Sequence, residues 1–210
     1  MNDGMVNAIS LSGDHAAVAS AVTAQTAAEN AMTVFPLWPH LREGLEAARL
    51  LLGVSGSTLR YDLPETRETV RADEEMLMRA VLHLISNALD AAGDGTSVTV
   101  RGSIVGEQAV ITVSDTGCGI NADEVTTAFK RHATSKITEA EDLDSIQTLG
   151  FRGEALASIA AVSRTELITK TADAKTGTSI TVEGGETAGI SAIGCDGGTT
   201  VIVRDLFYNV

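Results

Sequence analysis

The stretch DEEMLMRAVLHLISNALDAA, Asp73 to Ala92, decides the fold when it is read together with DTGCGI, Asp115 to Ile120. In the first stretch Leu77, Ala80, Val81, Leu84, Ile85 and Ala88 keep a 3.6-residue period. With Asp73 able to cap the first turn, this spacing predicts a helix. His83, Asn87 and Asp90 stand at i, i+4 and i+7, on one stripe beside the apolar face where a helix borders a sheet. Asn offers an uncharged carbonyl oxygen, suited to a Mg2+ that keeps its waters and contacts phosphate. Standing alone, such an Asn more often satisfies nearby backbone.

The second stretch follows a strand. Ser97 to Ile104 and Ala109 to Ser114 alternate apolar and polar residues around Gly106, which predicts a β-hairpin ending at Asp115. A carboxylate there accepts a hydrogen bond from an exocyclic amine, while Gly117 and Gly119 let backbone approach a flat base. A DxGxG string by itself is as often only a tight turn. Its place one hairpin after the Asn helix makes chance a poorer explanation.

Outward from these two stretches, Pro39 to Leu52 sets Leu41, Leu45, Ala48, Leu51 and Leu52 at helical spacing, ended by Gly53 and Gly56. Thr165 to Lys170, Thr178 to Glu183 and Thr199 to Asp205 alternate like strands. Runs of strands with helices set apart predict an α+β two-layer sandwich, a mixed, mostly antiparallel sheet with helices on one face. Asn121 to Leu149 starts helical, then turns polar and charged, and reads as a lid. Gly150 to Ala161 resumes as helix, and GFRGEAL puts two glycines and Arg152 at its start, where free N–H groups favour phosphate. Arg131, Lys136 and Arg152 make this segment locally basic. A solvated lid with a glycine cap explains that motif equally well when it stands alone.

Composition narrows the function classes. A chain of 210 residues suits one domain. Its 44% hydrophobic but 3% aromatic content requires a core of Ala, Val, Leu and Ile, and makes base stacking on aromatic platforms improbable. Fifteen Lys and Arg against 28 Asp and Glu give a net charge of −13, so nucleic-acid binding by this chain is expected to be weak or absent. Cys118 and Cys195 lack metal-ligand spacing and read as free thiols in a reducing compartment. With no basic region followed by an apolar run at the N-terminus, and no apolar run long enough to span a bilayer, the expectation is a cytoplasmic protein without membrane contact. Residues 1–33, rich in Ala, Ser and Thr, are expected to form a poorly ordered or weakly helical arm.

Helix Asn, DxGxG turn, lid and late Gly-Thr, in that order, resemble the GHKL ATP-binding family with its Bergerat-type fold, which includes gyrase B, histidine kinases and MutL. RHATSKI at Arg131 to Ile137, LGFRGEALASI at Leu149 to Ile159 and GTTVIVRDLFYN at Gly198 to Asn209 make residues 115–210 similar to the N-terminal ATPase domain of the DNA mismatch-repair MutL proteins. VRADEEMLMRAVLHLISNALDA, Val70 to Ala91, makes residues 37–115 resemble a histidine kinase ATP-binding domain. The chain therefore reads as two relatives joined near a turn they share, a hybrid of natural or constructed origin.

This resemblance implies ATP and Mg2+ as cofactors and residues 34–210 as one GHKL ATP-binding domain, truncated before a second MutL-like domain. It implies that Asn87 coordinates Mg2+ with Asp90 beside the nucleotide. Asp115 receives the adenine amine near Thr199, and Gly117 and Gly119 shape the base pocket. Thr134, Ser135 and Lys136 belong to the lid, and Gly150, Phe151, Arg152 and Gly153 wrap the phosphates. The family's general base, a glutamate four residues before the helix Asn, is His83 here. A neutral His83 can take a proton from water, although a hydrogen-bonded core histidine is as good a reading. The implied function is Mg-ATP binding with slow hydrolysis as a conformational switch, with ATP-dependent homodimerisation and a repair or signalling protein as partner. Two alternatives stand beside it, a kinase-like domain that phosphorylates a partner and a non-catalytic nucleotide-gated interaction module.

Overall fold

The computed structural model describes residues 32–55, 58–92, 97–130 and 155–209. Among them the chain runs β1 (Thr33–Pro36), α1 (Leu37–Leu51), β2 (Leu59–Asp62), β3 (Thr69–Ala72), α2 (Glu74–Ala92), β4 (Val98–Val105), β5 (Gln108–Asp115), a 3-10 turn (Thr127–Phe129), α3 (Ala155–Ala161), β6 (Arg164–Lys170), β7 (Gly177–Glu183), β8 (Glu186–Ile193) and β9 (Gly198–Arg204). All but the last two residues of the expected arm, 1–33, lie outside the described residues.

Local chemistry sets the helix and hairpin boundaries. The Asp73 carboxylate accepts the Met76 N–H at 2.9 Å, and its carbonyl accepts the Leu77 N–H at 2.9 Å, so α2 starts where the sequence places its cap. Between β4 and β5 the pairing reaches Val105 with Gln108, which leaves a two-residue loop. Gly106 stands at its first position with φ 63°, where a side chain would be strained.

The strands assemble into a seven-stranded sheet in the order β2-β4-β5-β9-β6-β7-β8, with β1 and β3 in a separate two-stranded ribbon. The β2 and β4 strands pair parallel and every other neighbouring pair is antiparallel. The sheet is thus mixed and mostly antiparallel, as expected. One face carries the core. Val98 and Val100 of β4, Ile111 and Val113 of β5, Leu167 of β6 and Ile180 of β7 are buried with Leu77, Val81, Leu84, Ile85 and Ala88 of α2. These α2 positions are the ones whose period predicts the helix.

The α1 helix adds Trp38, Leu41 and Leu45, each fully buried. The Trp38 indole donates to Glu68 Oε2 at 2.9 Å, which satisfies the one polar group of that ring. Its six-membered ring lies over Gly102 of β4, where a Cβ would come within 2.5 Å of it.

Four strands escape the sequence reading. The β1, β2 and β3 strands are four residues each, too short to establish a period of two. The β8 strand is eight residues long, but its first seven are exposed on both faces, so no alternation marks it. The helical start expected after Asn121 amounts to a single 3-10 turn within the described residues, and α3 is described from Ala155 onward.

The packing of Trp38 on Gly102 leads to a testable coupling. Gly102→Ala forces the indole aside and is expected to cost about 1–3 kcal/mol of stability. In a Trp38→Phe background the distal ring is gone, so the same Gly102→Ala change costs less. Thermal unfolding of the two single variants and the double variant measures the coupling; strict additivity contradicts it.

Candidate functional site

Strand β5 ends at Asp115 with β4 on one side and β9 on the other, pairing with Val98 and Thr199. The Asp115 side chain is buried, and its Oδ1 accepts two backbone N–H groups, Gly117 at 2.8 Å and Thr199 at 3.2 Å. Among the described residues no donor reaches Oδ2. Burial pushes the Asp115 carboxyl above the ordinary carboxylate range, and the two N–H groups offset part of that rise.

Three other elements converge on the turn that follows. A Cβ on Gly117 would stand 2.4 Å from the Ala91 carbonyl oxygen, so the turn packs directly on the end of α2. That same carbonyl accepts the Cys118 N–H at 3.3 Å, which satisfies one of the open acceptors of a helix C-terminus. Gly119 has φ 71°, and a Cβ there would fall 2.3 Å from the Lys170 carbonyl oxygen at the end of β6. Gly198 has φ 109°, and its Cβ would meet the Asp115 carbonyl oxygen at 2.2 Å. Both φ values lie where L side chains are disfavoured, and the close approaches remove any room for one.

Thr169 Oγ1 links these pieces. It accepts the Ile120 N–H at 2.8 Å, donates to the Gly198 carbonyl oxygen at 3.1 Å and lies 3.1 Å from Thr199 Oγ1. Thr169 did not stand out in the sequence, and Gly198 did so only as the glycine of the late Gly-Thr pair. Thr165, Leu167 and Thr169 share the inward phase of β6, and a threonine at the inward end of a strand was the available signal.

Along α2, Asn87 and Asp90 are exposed and His83 is half-buried, so the stripe runs along the border of the apolar face. Asn87 stands one helical turn before Ala91, the residue against which Gly117 packs. Burial, with the Arg79 charge adding to it, pulls His83 below the usual imidazole range. Thr134, Ser135, Lys136, Gly150, Phe151, Arg152 and Gly153 lie outside the described residues, as does Arg131.

Among the described residues no group of three or more His, Cys, Asp and Glu side chains can cage a metal. An exposed Asn87 amide fits a Mg2+ held mainly by waters and phosphate oxygens. Cys118 is exposed, Cys195 half-buried, and both are free thiols. No helix of the described residues is long and apolar enough to cross a membrane. A cavity of about 320 Å3 between α1 and the N-terminal turns of α2, lined by His40, Glu43, Glu74 and Glu75, lies at the opposite end of α2 from the Asp115 turn.

A buried carboxylate at a strand end is thus held by a glycine turn against a helix that carries an exposed Asn. Residues 72–206 match the family of histidine kinase-, DNA gyrase B- and HSP90-like ATPases, and the chain belongs to that family. It is 48% identical over 148 residues to the DNA mismatch repair protein MutL of Agathobacter rectalis, covering 70% of this chain and 22% of that protein. It is 49% identical over 135 residues to the MutL of Pelotomaculum thermopropionicum, covering 64% of this chain and 22% of that protein. The chain thus spans about a fifth of the length of these relatives. A match of 148 residues is longer than residues 115–210, so similarity to MutL extends upstream of the shared turn and takes in the Asn87 helix. The mycobacterial sensor histidine kinase MprB shares the fold with a TM-score of 0.54 at 18% identity, over 83% of this chain and 97% of that one.

The shift at Asp115 has a definite sign. Its folded pKa lies above the value of about 3.9 for an unfolded chain, so between the two values, and only there, the folded state keeps a proton that the unfolded chain has lost. Stability from this group is complete below that value and is lost as pH rises through the folded pKa. Asp115→Asn keeps an oxygen for both N–H groups and sheds the charge. Its stability relative to the unsubstituted protein is expected to rise between pH 4 and pH 7 in urea unfolding; a relative loss over that interval contradicts the assignment.

Proposed function

We propose that this domain binds Mg-ATP and hydrolyses it slowly, as the nucleotide-driven switch of a MutL-like mismatch-repair protein. The observation that carries the reading is the Asp115 carboxylate. One oxygen is engaged by Gly117 and Thr199, and the other is left to accept from an exocyclic amine. A buried acceptor of this kind selects a base that presents a donor, since a mismatched partner leaves a buried group unpaired.

Asn87 is our candidate for the Mg2+ ligand, with Asp90 on the same helical stripe, and Gly117, Gly119 and Thr199 for the walls of the base pocket. Thr134, Ser135 and Lys136 for the lid, and Gly150 to Gly153 for the phosphate wrap, rest on the motifs alone. Bound Mg2+ neutralises phosphate charge and orients the terminal phosphate. The residues of the chain hold the base, exclude water from it and position the proton acceptor. Similarity to MutL supports a cytoplasmic repair protein that dimerises when ATP binds and docks a repair partner. A net charge of −13 favours protein contacts over nucleic acid for this piece.

His83 is our candidate base. Its lowered pKa keeps the imidazole neutral at pH 7, the form that accepts a proton. An imidazole in place of a carboxylate supports slow turnover. It also favours a second reading, a kinase-like domain that passes phosphate to a partner. Labelled ATP separates these outcomes: free phosphate supports the first, a labelled partner the second, and binding alone a nucleotide-gated interaction module.

Calorimetry with and without Mg2+ tests the central claim. ATP binds the unsubstituted domain, and Asp115→Asn loses about 30-fold or more in affinity because its amide sets a donor against the adenine amine; equal binding by Asp115→Asn refutes the assignment. For turnover, His83→Ala is expected to lower kcat about 100-fold with ATP affinity unchanged, and His83→Glu to raise it. The rate for the unsubstituted domain rises with pH through the lowered His83 pKa and levels off above it. Full activity in His83→Ala rules out the base role.

A further inference from the structure

The hydroxyl of Thr169 has one proton and, among the described residues, three polar neighbours, and counting protons fixes how they share it. Thr169 is 1% exposed, so water does not enter the count. The Ile120 N–H can only donate, and it reaches Oγ1 at 2.8 Å. The Gly198 carbonyl can only accept, and it lies 3.1 Å from Oγ1. Thr199 Oγ1, also at 3.1 Å, can do either. A hydroxyl has one donor and two acceptor positions. All three contacts are satisfied together in one arrangement: Thr169 donates to Gly198, accepts from Ile120 and accepts from the Thr199 hydroxyl. The reverse sense at Thr199 would leave two oxygens, Thr169 Oγ1 and Gly198 O, facing each other at 3.1 Å with no proton between them.

We propose that Thr169 is a positioning residue for the base pocket: it ties the end of the DTGCGI turn to β6 and β9 and holds the Thr199 hydroxyl proton inward. The inference rests on the nucleotide reading of the Asp115 site and deepens it. With its proton turned toward Thr169, Thr199 offers only lone pairs on its outer side. Asp115 Oδ2 beside it is also an acceptor. The polar edge of the pocket therefore accepts and does not donate, which suits a 6-amino purine and disfavours a 6-oxo purine. Removing the Thr169 hydroxyl frees the Thr199 proton to point outward, and a 6-oxo group then finds a donor.

The position of Thr169 on a separate strand gives it leverage over both sides of the pocket. Ile120 follows Gly119, whose backbone sits against the Lys170 carbonyl, so the turn has little slack there. The Gly198 carbonyl immediately precedes Thr199, whose N–H holds Asp115. Loss of one hydroxyl loosens the turn and the Asp115 clamp together.

The test uses Thr169→Val, Thr169→Ala and Thr169→Ser in the same domain, with two readouts. Amide hydrogen exchange at Ile120 without nucleotide reports the tie directly. It is expected to speed up tenfold or more in the Val and Ala variants and to stay slow in the Ser variant. Competition between ATP and ITP reports the proton sense. The preference for ATP is expected to fall about tenfold in the Val and Ala variants and to return in the Ser variant. Unchanged exchange at Ile120 in the Ala and Val variants overturns the tie. An ATP to ITP ratio that holds while affinity for both nucleotides drops overturns the proton-orienting role. If the unsubstituted domain binds neither nucleotide, the function proposed above fails, and the exchange data still decide the tie.

Discussion

Everything around the site is arranged to hold one carboxylate out of water. A buried carboxylate is costly unless it is hydrogen-bonded, and Asp115 sits at the end of an interior strand where side-chain donors are scarce. Backbone solves the problem. The turn after Asp115 folds back to bring the Gly117 N–H to Oδ1, and the first residues of β9 bring the Thr199 N–H to the same oxygen. Both N–H groups reach it only because glycines at 117 and 198 allow contacts that a Cβ would block. The close packing of α2, β6 and β9 on the turn follows from this single requirement.

The same constraint explains how the helix and the sheet are related. The Ala91 carbonyl near the end of α2 accepts from Cys118, so the helix terminus and the turn satisfy each other. This fixes the rotation of α2 and leaves Asn87 exposed, with Ala88 on its neighbouring face buried in the core. Family membership over residues 72–206 covers this whole unit. His83 stands one turn further back, at the border of the core, where burial lowers the imidazole pKa.

Legibility in the sequence followed the physics of each element. The α2 helix was readable because six of its apolar positions meet the sheet at a regular period, and the β4–β5 hairpin because one face is wet and Gly106 marks the turn. Asp115, Gly117 and Gly119 were readable because a short motif concentrates them within five residues. Thr169 was not, since its role arises from contacts between residues 29 or more apart in sequence. The short strands β1 to β3 carry too few residues for a period, and β8 has no buried face to create one. The match to MutL also reaches further upstream than motif strings alone indicated, and takes in the Asn87 helix.

The sheet also has a border that no described strand covers. Among the described residues the β8 strand pairs only with β7, and after Glu186 it continues as TAGISAI, with no charge and no proline to discourage another strand from docking. A net charge of −13 spread over the molecule opposes the approach of a second copy collectively. Such repulsion reaches only about 8 Å at physiological ionic strength and shrinks further as salt is added. Colloidal behaviour in this domain is therefore governed by the ionic medium, where many β proteins assign the task to a single gatekeeper side chain.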